Sequence, residues 1–183
     1  MQGIEPILQQ LRIRKVLPHL STKKGGVLVD FGCDFEQTLL RMPQLPFKKR
    51  IGIDIVSKPS DDGLVEIIPA DLEKKLPIKA NSVDAITMLA VLEHLKQPEV
   101  SAKEAFRILK PGGIFVGTVP APQVEPILNV FAKIGLVRDE MIDQHENYFT
   151  HEHLYSLLTA AGFSTVTVES WELGFNTFFK AEK

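Results

Sequence analysis

The sequence predicts an open α/β fold, in which a mostly parallel sheet of seven strands carries helices on both faces and ends in an antiparallel pair. Short apolar segments of strand character alternate with segments of helical periodicity along most of the chain. This alternation favours parallel strands joined by right-handed crossovers. Two further apolar segments near the C-terminus, residues 163–169 and 174–181, are separated by a short link that is typical of antiparallel neighbours.

Composition indicates one folded domain over residues 1–183, with an N-terminal helix in residues 1–20 and an irregular or helical insertion at 120–150. The chain is 44% hydrophobic and 24% charged, which argues against global disorder. The net charge is −2 and basic side chains form only short clusters, so we expect no nucleic-acid partner. We expect no membrane span and a cytoplasmic location, because no run reaches about 18 apolar residues. No pattern indicates an oligomeric state.

The ends of the expected helices are marked by characteristic residues. Pro18 closes the N-terminal helix, and a second helix is expected over residues 35–42. Pro98 opens a third, Thr150 caps a fourth, and Gly162 ends the fourth. Only about nine residues separate the second and third strands, so a crossover helix there is expected to be rudimentary or absent. The predicted strands cover residues 27–30, 50–54, 64–68, 83–89, 114–119, 163–169 and 174–181.

The first strand runs into a tight turn in the segment VLVDFGCDFEQTLL. A strand that ends on Asp30 and is followed by Gly32 and a helical segment is typical of a nucleotide-binding turn. Asp34 and Glu36 stand where such turns usually have further glycines. Cys33 is the one cysteine, and without an obvious activating partner it is interpreted as a buried small side chain rather than a nucleophile. A disulfide and a cysteine metal site are therefore not expected, and we predict no metal site.

Two more acids follow predicted strands. Asp54 ends the second strand, 22 residues after Gly32, close to the spacing of about 20 expected for a carboxylate that accepts hydrogen bonds from a ribose. A carboxylate has two acceptor oxygens and can take both ribose hydroxyls. Asp71 follows the third strand. Because ligands of open parallel sheets lie beyond the carboxyl ends of the strands, these acids predict a cofactor site at that edge.

The motifs DFGCDFE, GIDI, PADL, VLEHL and LKPGG, in this order and spacing, resemble those of class I S-adenosylmethionine-dependent methyltransferases of the small type 11 family. The resemblance covers residues 26 to the C-terminus and implies a Rossmann-like, doubly wound sheet and S-adenosylmethionine as cofactor. The segment from residue 118 to 148 and the ending LGFN are also similar to methyltransferases found with cell-envelope polysaccharide genes. The positions that the resemblance assigns to cofactor binding are Asp30, Gly32, Asp34, Asp54, Ile55, Asp71, Leu72, Leu89 and Ala90.

A hydroxyl acceptor needs a base to remove its proton, and histidine is the usual one. His145 is our first candidate, because it lies in the insertion that would cover the substrate site in the family. His94, next to Glu93 in VLEHL, is the second candidate. His151 and His153 are the other imidazoles that the insertion region offers.

Three functions remain open from the sequence. The first is a methyltransferase acting on an oxygen of a small molecule or glycan, favoured because the Asn-Pro-Pro-Tyr and Pro-Cys motifs of base-methylating relatives are absent. The second is a protein that binds S-adenosylmethionine or S-adenosylhomocysteine without turnover, which the altered turn allows. The third is a nicotinamide-dependent oxidoreductase, which would want Gly-x-Gly-x-x-Gly and leaves LKPGG unexplained.

The altered turn predicts weakened, but not abolished, cofactor binding. Glycine lets the backbone pass close to a ligand and permits positive φ, whereas aspartate only tolerates the left-handed region. Asp34→Gly is therefore expected to bind S-adenosylmethionine more tightly than the wild type in calorimetry. Equal affinities of the two proteins would contradict this.

Overall fold

Eight strands form one sheet in the computed structural model, which describes residues 5–23, 25–33, 37–122 and 147–183. They are β1 Val27–Phe31, β2 Lys49–Asp54, β3 Ser60–Asp61, β4 Val65–Pro69, β5 Val83–Leu89, β6 Leu109–Pro120, β7 Thr165–Trp171 and β8 Asn176–Glu182. The described α-helices are α1 Glu5–Leu20, α2 Pro98–Ile108 and α3 His151–Ala161. All seven predicted strands are present, and the eighth is the two-residue edge strand β3. The predicted fold class is confirmed.

The order across the sheet is β3-β4-β2-β1-β5-β6-β8-β7. From β4 to β6 the neighbouring strands are parallel, and β8 pairs antiparallel with both β6 and β7. The chain moves outward from β1 to β2 and β4, then returns to β5 on the opposite side of β1. Strand order therefore reverses beside β1, which is where open α/β sheets place their ligands.

Helices cover both faces, and each face has its own buried core. Burial of each large apolar side chain stabilises the fold by about 1.5–3 kcal/mol, so both helical layers are held by the hydrophobic effect. On one face α1 packs on the sheet through Ile13, Val16 and Leu20, against Leu28, Val116 and Phe178. On the other face α2 and α3 contribute Ala105, Ile108, Leu154 and Leu158, which meet Val29, Ile86, Phe115 and Phe179.

Most predicted helix ends are confirmed. Pro98 begins α2, the Thr150 hydroxyl accepts a hydrogen bond from the His153 amide at the start of α3, and Gly162 ends α3 with φ 115°. The predicted end at Pro18 is wrong, because α1 continues to Leu20. Proline removes one amide donor, yet burial of Leu20 keeps the last turn helical. None of the helices in the described part of the chain is long and apolar enough to cross a membrane.

The connections around β2 are held without long helices. The predicted helix over residues 35–42 is wrong for its described part, since residues 37–42 form hydrogen-bonded turns. The guanidinium of Arg50, a buried side chain of β2, donates to the carbonyls of Leu40, Met42 and Leu45. Arg50 therefore braces the connection between β1 and β2 from the following strand. Between β2 and β4 the described chain has β3 and no helix, as predicted.

Arg50→Met should destabilise the fold, because it leaves three carbonyls without their donor. An unsatisfied buried polar group costs about 1–3 kcal/mol, so we expect the free energy of unfolding to fall by at least about 2 kcal/mol in urea denaturation. Lys103→Met, on the exposed side of α2, is the matched control and should change it by less than about 0.5 kcal/mol. A loss in Arg50→Met no larger than in the control would contradict the bracing role of Arg50.

Candidate functional site

The turn after β1 requires glycine at Gly32 for two reasons. The first is its φ of +74°, in the left-handed region. The second is that a Cβ built on Gly32 would lie 2.3 Å from Cγ2 of Val91. The amide of Gly32 donates to the Ile53 carbonyl at 2.8 Å. The turn after β1 therefore passes directly against the segment that follows β5. Asp34 and Glu36, the next positions of interest, lie outside the described residues.

Asp30 lies at the base of this turn and ties β1 to β5. Its carboxylate is 5% exposed and accepts a 2.5 Å hydrogen bond from the hydroxyl of Thr87, its register partner on β5. A buried carboxylate needs such donors to offset the loss of water. Cys33, as predicted, is buried, and its sulfur lies against Gly52 of β2.

Beyond β2, a carboxylate stands next to an exposed apolar surface. Asp54 is half-buried, and its Oδ1 accepts from the amide of Val56 at 2.9 Å, which holds the carboxylate at the strand end. The side chains of Ile55 and Val56 are 68% and 65% exposed. Branched apolar side chains at such exposure, beside a fixed acceptor group, form a surface suited to a flat aromatic ligand with hydroxyl groups.

Asp71 and Leu72 follow β4 and have different surroundings. Oδ1 of Asp71 accepts from the Glu73 amide at 2.9 Å, and Oδ2 is 3.0 Å from Nζ of Lys74. These bonds to Glu73 and Lys74 lower the pKa of Asp71, so the carboxylate is ionised at neutral pH. Leu72 is buried and packs with the core that includes Ile53. Leu72 therefore lies in the core beneath the carboxyl edge of the sheet, whereas Asp71 lies at that edge.

The segment after β5 has an uncommon backbone conformation. Ala90 has φ 55°, and its amide donates to the Thr118 carbonyl of β6 at 2.8 Å. Alanine in the left-handed region costs about 1–3 kcal/mol, and such strain concentrates at ligand sites. Leu89, which ends β5, is half-buried, and Val91 reaches back to Gly32. The carboxyl ends of β1 and β5 therefore meet at one place.

Among the described residues, only one candidate base lies where the carboxyl ends of β1 and β5 meet. His94 is half-buried in the 3₁₀ turn Leu92–His94, which directly follows β5. His151 is exposed, with Nε2 3.0 Å from the Ser170 hydroxyl on β7, and His153 packs its ring on Phe149. β7 is four strands from β1, about 19 Å at 4.8 Å per strand, so His151 is remote from Gly32. His145 lies outside the described residues.

Glu93 is a buried acid in the same turn. Its side chain is 2% exposed, and Oε2 has no hydrogen-bond partner in the described part of the chain. Burial raises the pKa of Glu93, while the charges of His94 and Arg12 act in the opposite direction. Burial lowers the pKa of Arg12, opposed by Glu93 and Glu172. A guanidinium and two carboxylates from three separate segments thus influence one another at the carboxyl edge.

Comparison with known proteins identifies the family. A family model described as a methyltransferase domain matches residues 8–168. The chain belongs to this methyltransferase family. Its sheet, strand order and motifs are those of a class I domain whose cofactor is S-adenosylmethionine, as the sequence predicted.

Two curated methyltransferases are similar in sequence. The tRNA U34 carboxymethyltransferase of Cellvibrio japonicus (strain Ueda107) is 31% identical over 117 residues, covering 56% of this chain and 35% of the relative. The mitochondrial ubiquinone biosynthesis O-methyltransferase of Rattus norvegicus is 28% identical over 110 residues, covering 58% and 32%. The chain spans about a third of the length of each relative.

A solved structure supports the fold of the methyltransferase domain. It is an S-adenosylmethionine-dependent methyltransferase from Thermotoga maritima, described as a possible histamine N-methyltransferase. It superposes with a TM-score of 0.71 over 94% of this chain and 88% of that chain, at 20% identity.

The sequence did not reveal the electrostatic interactions among Arg12, Glu93 and Glu172. The VLEHL motif placed Glu93 after β5, but it did not predict that Glu93 would be buried. Arg12 lies in α1, in which Ile7 is 63% exposed while Ile13 is buried. Glu172 is 160 residues from Arg12 in the chain, and no local pattern connects the two.

Glu93→Gln should stabilise the domain in a pH-dependent way. A carboxyl whose folded pKa is raised contributes stability below its unfolded pKa, about 4.3, and this is lost as pH rises through the folded pKa. Glutamine lacks that ionisation. The difference in Tm between Glu93→Gln and wild type should therefore grow in favour of the variant as pH rises from about 4 to 8. A difference that is constant with pH would contradict the raised pKa of Glu93.

Proposed function

We propose that the domain binds S-adenosylmethionine across the carboxyl ends of β4, β2, β1 and β5 and transfers its methyl group to a hydroxyl oxygen of a small molecule or glycan. The observation that carries this proposal is the approach of Gly32 to Val91, which leaves no room for a side chain where β1 and β5 end. Asp54 stands one strand away on β2. The backbone of Gly32 has no Cβ, and it lies near a carboxylate that can accept hydrogen bonds from ribose hydroxyls. This combination suits a bound nucleoside.

The adenosine half would lie over β2 and β4. Asp54 has one oxygen on the Val56 amide and further acceptor capacity for the ribose hydroxyls. Ile55, and with it Val56, would offer an apolar surface to the adenine ring. Asp71 is ionised and would accept from the adenine amino group, and Leu72 would support it from the core.

The methionine half would lie over β1 and β5. In this proposal the Gly32 turn, the base of which is held by Asp30, and the neighbouring Asp34 contact the amino-acid end of the cofactor. Leu89 and Ala90 line the position of the sulfonium. When bound, the cofactor supplies an electrophilic methyl group on a positively charged sulfur. The protein then aligns the acceptor oxygen with the methyl carbon and the sulfur, and excludes water.

His94 is the proposed base in the described part of the chain. As the acceptor oxygen attacks, its proton must leave, and the imidazole of His94 stands directly after β5, next to the proposed methyl position. His145 remains a candidate that lies outside the described residues. The proposal that residues 120–150 cover the substrate site is supported at its described end, where the Asn147 amide donates to the Glu93 carbonyl at 3.1 Å.

A small acceptor is preferred over nucleic acid because the net charge is −2 and the basic side chains form only short clusters in the sequence. One similar protein is a tRNA carboxymethyltransferase and the other an O-methyltransferase of ubiquinone biosynthesis. A surface that binds RNA needs a contiguous set of basic groups free to meet phosphates. In the described chain, six of the cations are also held by acids, in Lys15–Glu169, Arg41–Asp62, Lys49–Glu66, Lys74–Asp71, Arg107–Glu104 and Lys110–Asp84.

Binding without turnover is the second candidate, and the acids Asp34 and Glu36 in the glycine turn favour it. Isothermal titration with S-adenosylhomocysteine, followed by a methyl-transfer assay, separates the two. Binding together with label transfer supports the enzyme. Binding without transfer to any acceptor supports the second candidate, and no binding contradicts both.

Asp54→Asn should weaken cofactor binding. An amide keeps one acceptor but loses the charge, so each ribose hydrogen bond to a charged group, worth about 1.5–3 kcal/mol, is weakened. We expect the Kd for S-adenosylhomocysteine to rise at least tenfold in titration calorimetry. Asp61→Asn, on the exposed edge strand β3, is the matched control and should leave it unchanged.

His94→Gln should bind like the wild type and lose turnover, because His94 is assigned to proton removal.

The acceptor class can be tested with labelled cofactor. The domain is incubated with methyl-labelled S-adenosylmethionine and, separately, free sugars, catechols and bulk tRNA. We expect label in a hydroxyl compound, as an ether stable to mild base, and none in tRNA, because short basic clusters offer no long row of cations for the phosphate backbone. Label in tRNA would contradict the proposed acceptor class.

A further inference from the structure

A group of buried polar atoms lies on the acceptor side of the proposed methyl position. Each has no hydrogen-bond partner within the ranges that the structure describes. Buried polar groups in folded proteins are nearly always paired, so a local concentration of exceptions calls for a ligand or a function. The atoms are Arg12 Nε, Glu93 Oε2, Thr118 Oγ1, Trp171 Nε1, Glu172 Oε1 and Asn176 Oδ1.

These atoms come from five segments that meet at one edge of the sheet. α1, which carries Arg12, packs across β5 and β6, and Glu93 follows β5. Thr118 is near the end of β6, beside the end of β5. Glu172 follows β7, and its Oε2 accepts from the side-chain amide of Asn176 at the start of β8. We call the six residues the buried polar cluster.

The charges of the buried polar cluster interact without being paired. Arg12 is influenced electrostatically by both Glu93 and Glu172. It forms no salt bridge with either of these described residues, since no nitrogen of Arg12 lies within 4.0 Å of their carboxylate oxygens. Unpaired buried charges are costly, and proteins retain them where a ligand completes the network. A polar molecule that joined these charges would complete their hydrogen bonds.

We propose that the buried polar cluster is the acceptor-binding site and that the acceptor is a neutral polyhydroxylated molecule of the sugar class. This inference rests on the proposed function, because it names the acceptor of the same site. Thr118 is register-paired with Leu89, which we place at the sulfonium, so a molecule held by the cluster lies next to the methyl group. One of its hydroxyls would be the attacking oxygen, with its proton passing to His94.

The donor and acceptor pattern of the cluster selects this class of molecule. Glu93, Glu172 and Asn176 present acceptor oxygens, whereas Arg12 and Trp171 present N–H donors. A hydroxyl group donates and accepts at once, so adjacent hydroxyls satisfy both sets. An amine would leave the two donors unpaired, and a carboxylate would be repelled by the two glutamates. The cluster combines a guanidinium with carboxylates, so a charged ligand of either sign meets a like charge, which favours an uncharged ligand.

Saturation-transfer NMR on the whole chain tests the proposal. The probes are D-glucose, D-mannose, D-galactose and L-rhamnose at millimolar concentration, each with and without saturating S-adenosylhomocysteine. We expect transfer to at least one sugar in the wild type, and an affinity at least tenfold lower in Glu172→Gln. Thr118→Val keeps the shape and removes only the hydroxyl, so it should lower the affinity as well. Glu152→Gln, exposed on α3, is the matched control and should bind like the wild type.

The outcomes separate this inference from the proposed function. If the wild type binds S-adenosylhomocysteine but no sugar, or if Glu172→Gln binds sugar as the wild type does, the inference is overturned and the proposed function stands. If Glu172→Gln lowers the affinity for S-adenosylhomocysteine tenfold, the cluster holds the zwitterionic end of the cofactor, which also overturns it. If the wild type binds no S-adenosylhomocysteine, the proposed function fails, and sugar binding still reports on the cluster. Melting curves confirm that each variant is folded.

Discussion

The parallel pairing of β1 with β2 on one side and β5 on the other is the constraint on which the site depends. Parallel register places the carboxyl ends of these strands at one edge, and the order of the chain reverses there. Asp30 reinforces the pairing through Thr87, and Gly32 lets the turn after β1 approach Val91. Asp54, the carboxylate proposed to accept from the ribose, reaches the same edge only because β2 lies directly beside β1.

The two halves of this edge differ in how their polar groups are satisfied. On the β2 and β4 side, Asp54 and Asp71 accept from amides in their own loops, so these carboxylates are held in place without a ligand. On the side of β5 to β8, Arg12, Glu93 and Glu172 influence one another electrostatically without forming a salt bridge, and each has a buried polar atom without a partner in the described chain. The first arrangement suits a cofactor that is common to the family. The second lowers stability, as expected where a fold retains groups for binding.

The β1–β2 connection shows why local patterns misled at one point. Residues 35–42 have helical spacing, but residues 37–42 form turns, and the side chain of Arg50, from the following strand, braces the carbonyls of Leu40, Met42 and Leu45. The connection from β2 to β4 was predicted correctly, because its length alone excludes a crossover helix. Pro98, Thr150 and Gly162 act through local backbone chemistry, and they mark helix ends where the sequence predicted.

The sequence by itself determined the strand pattern, the mixed sheet, the methyltransferase family and the positions of Asp54 and Asp71 after their strands. These depend on periodicity, on turn residues and on short motifs, which are local properties of the chain. Only the tertiary structure decided that Val91 faces Gly32, that His151 lies beside β7, four strands from β1, and that Arg12, Glu93 and Glu172 influence one another electrostatically. Burial and electrostatic coupling between distant segments arise from packing, and no local pattern encodes them.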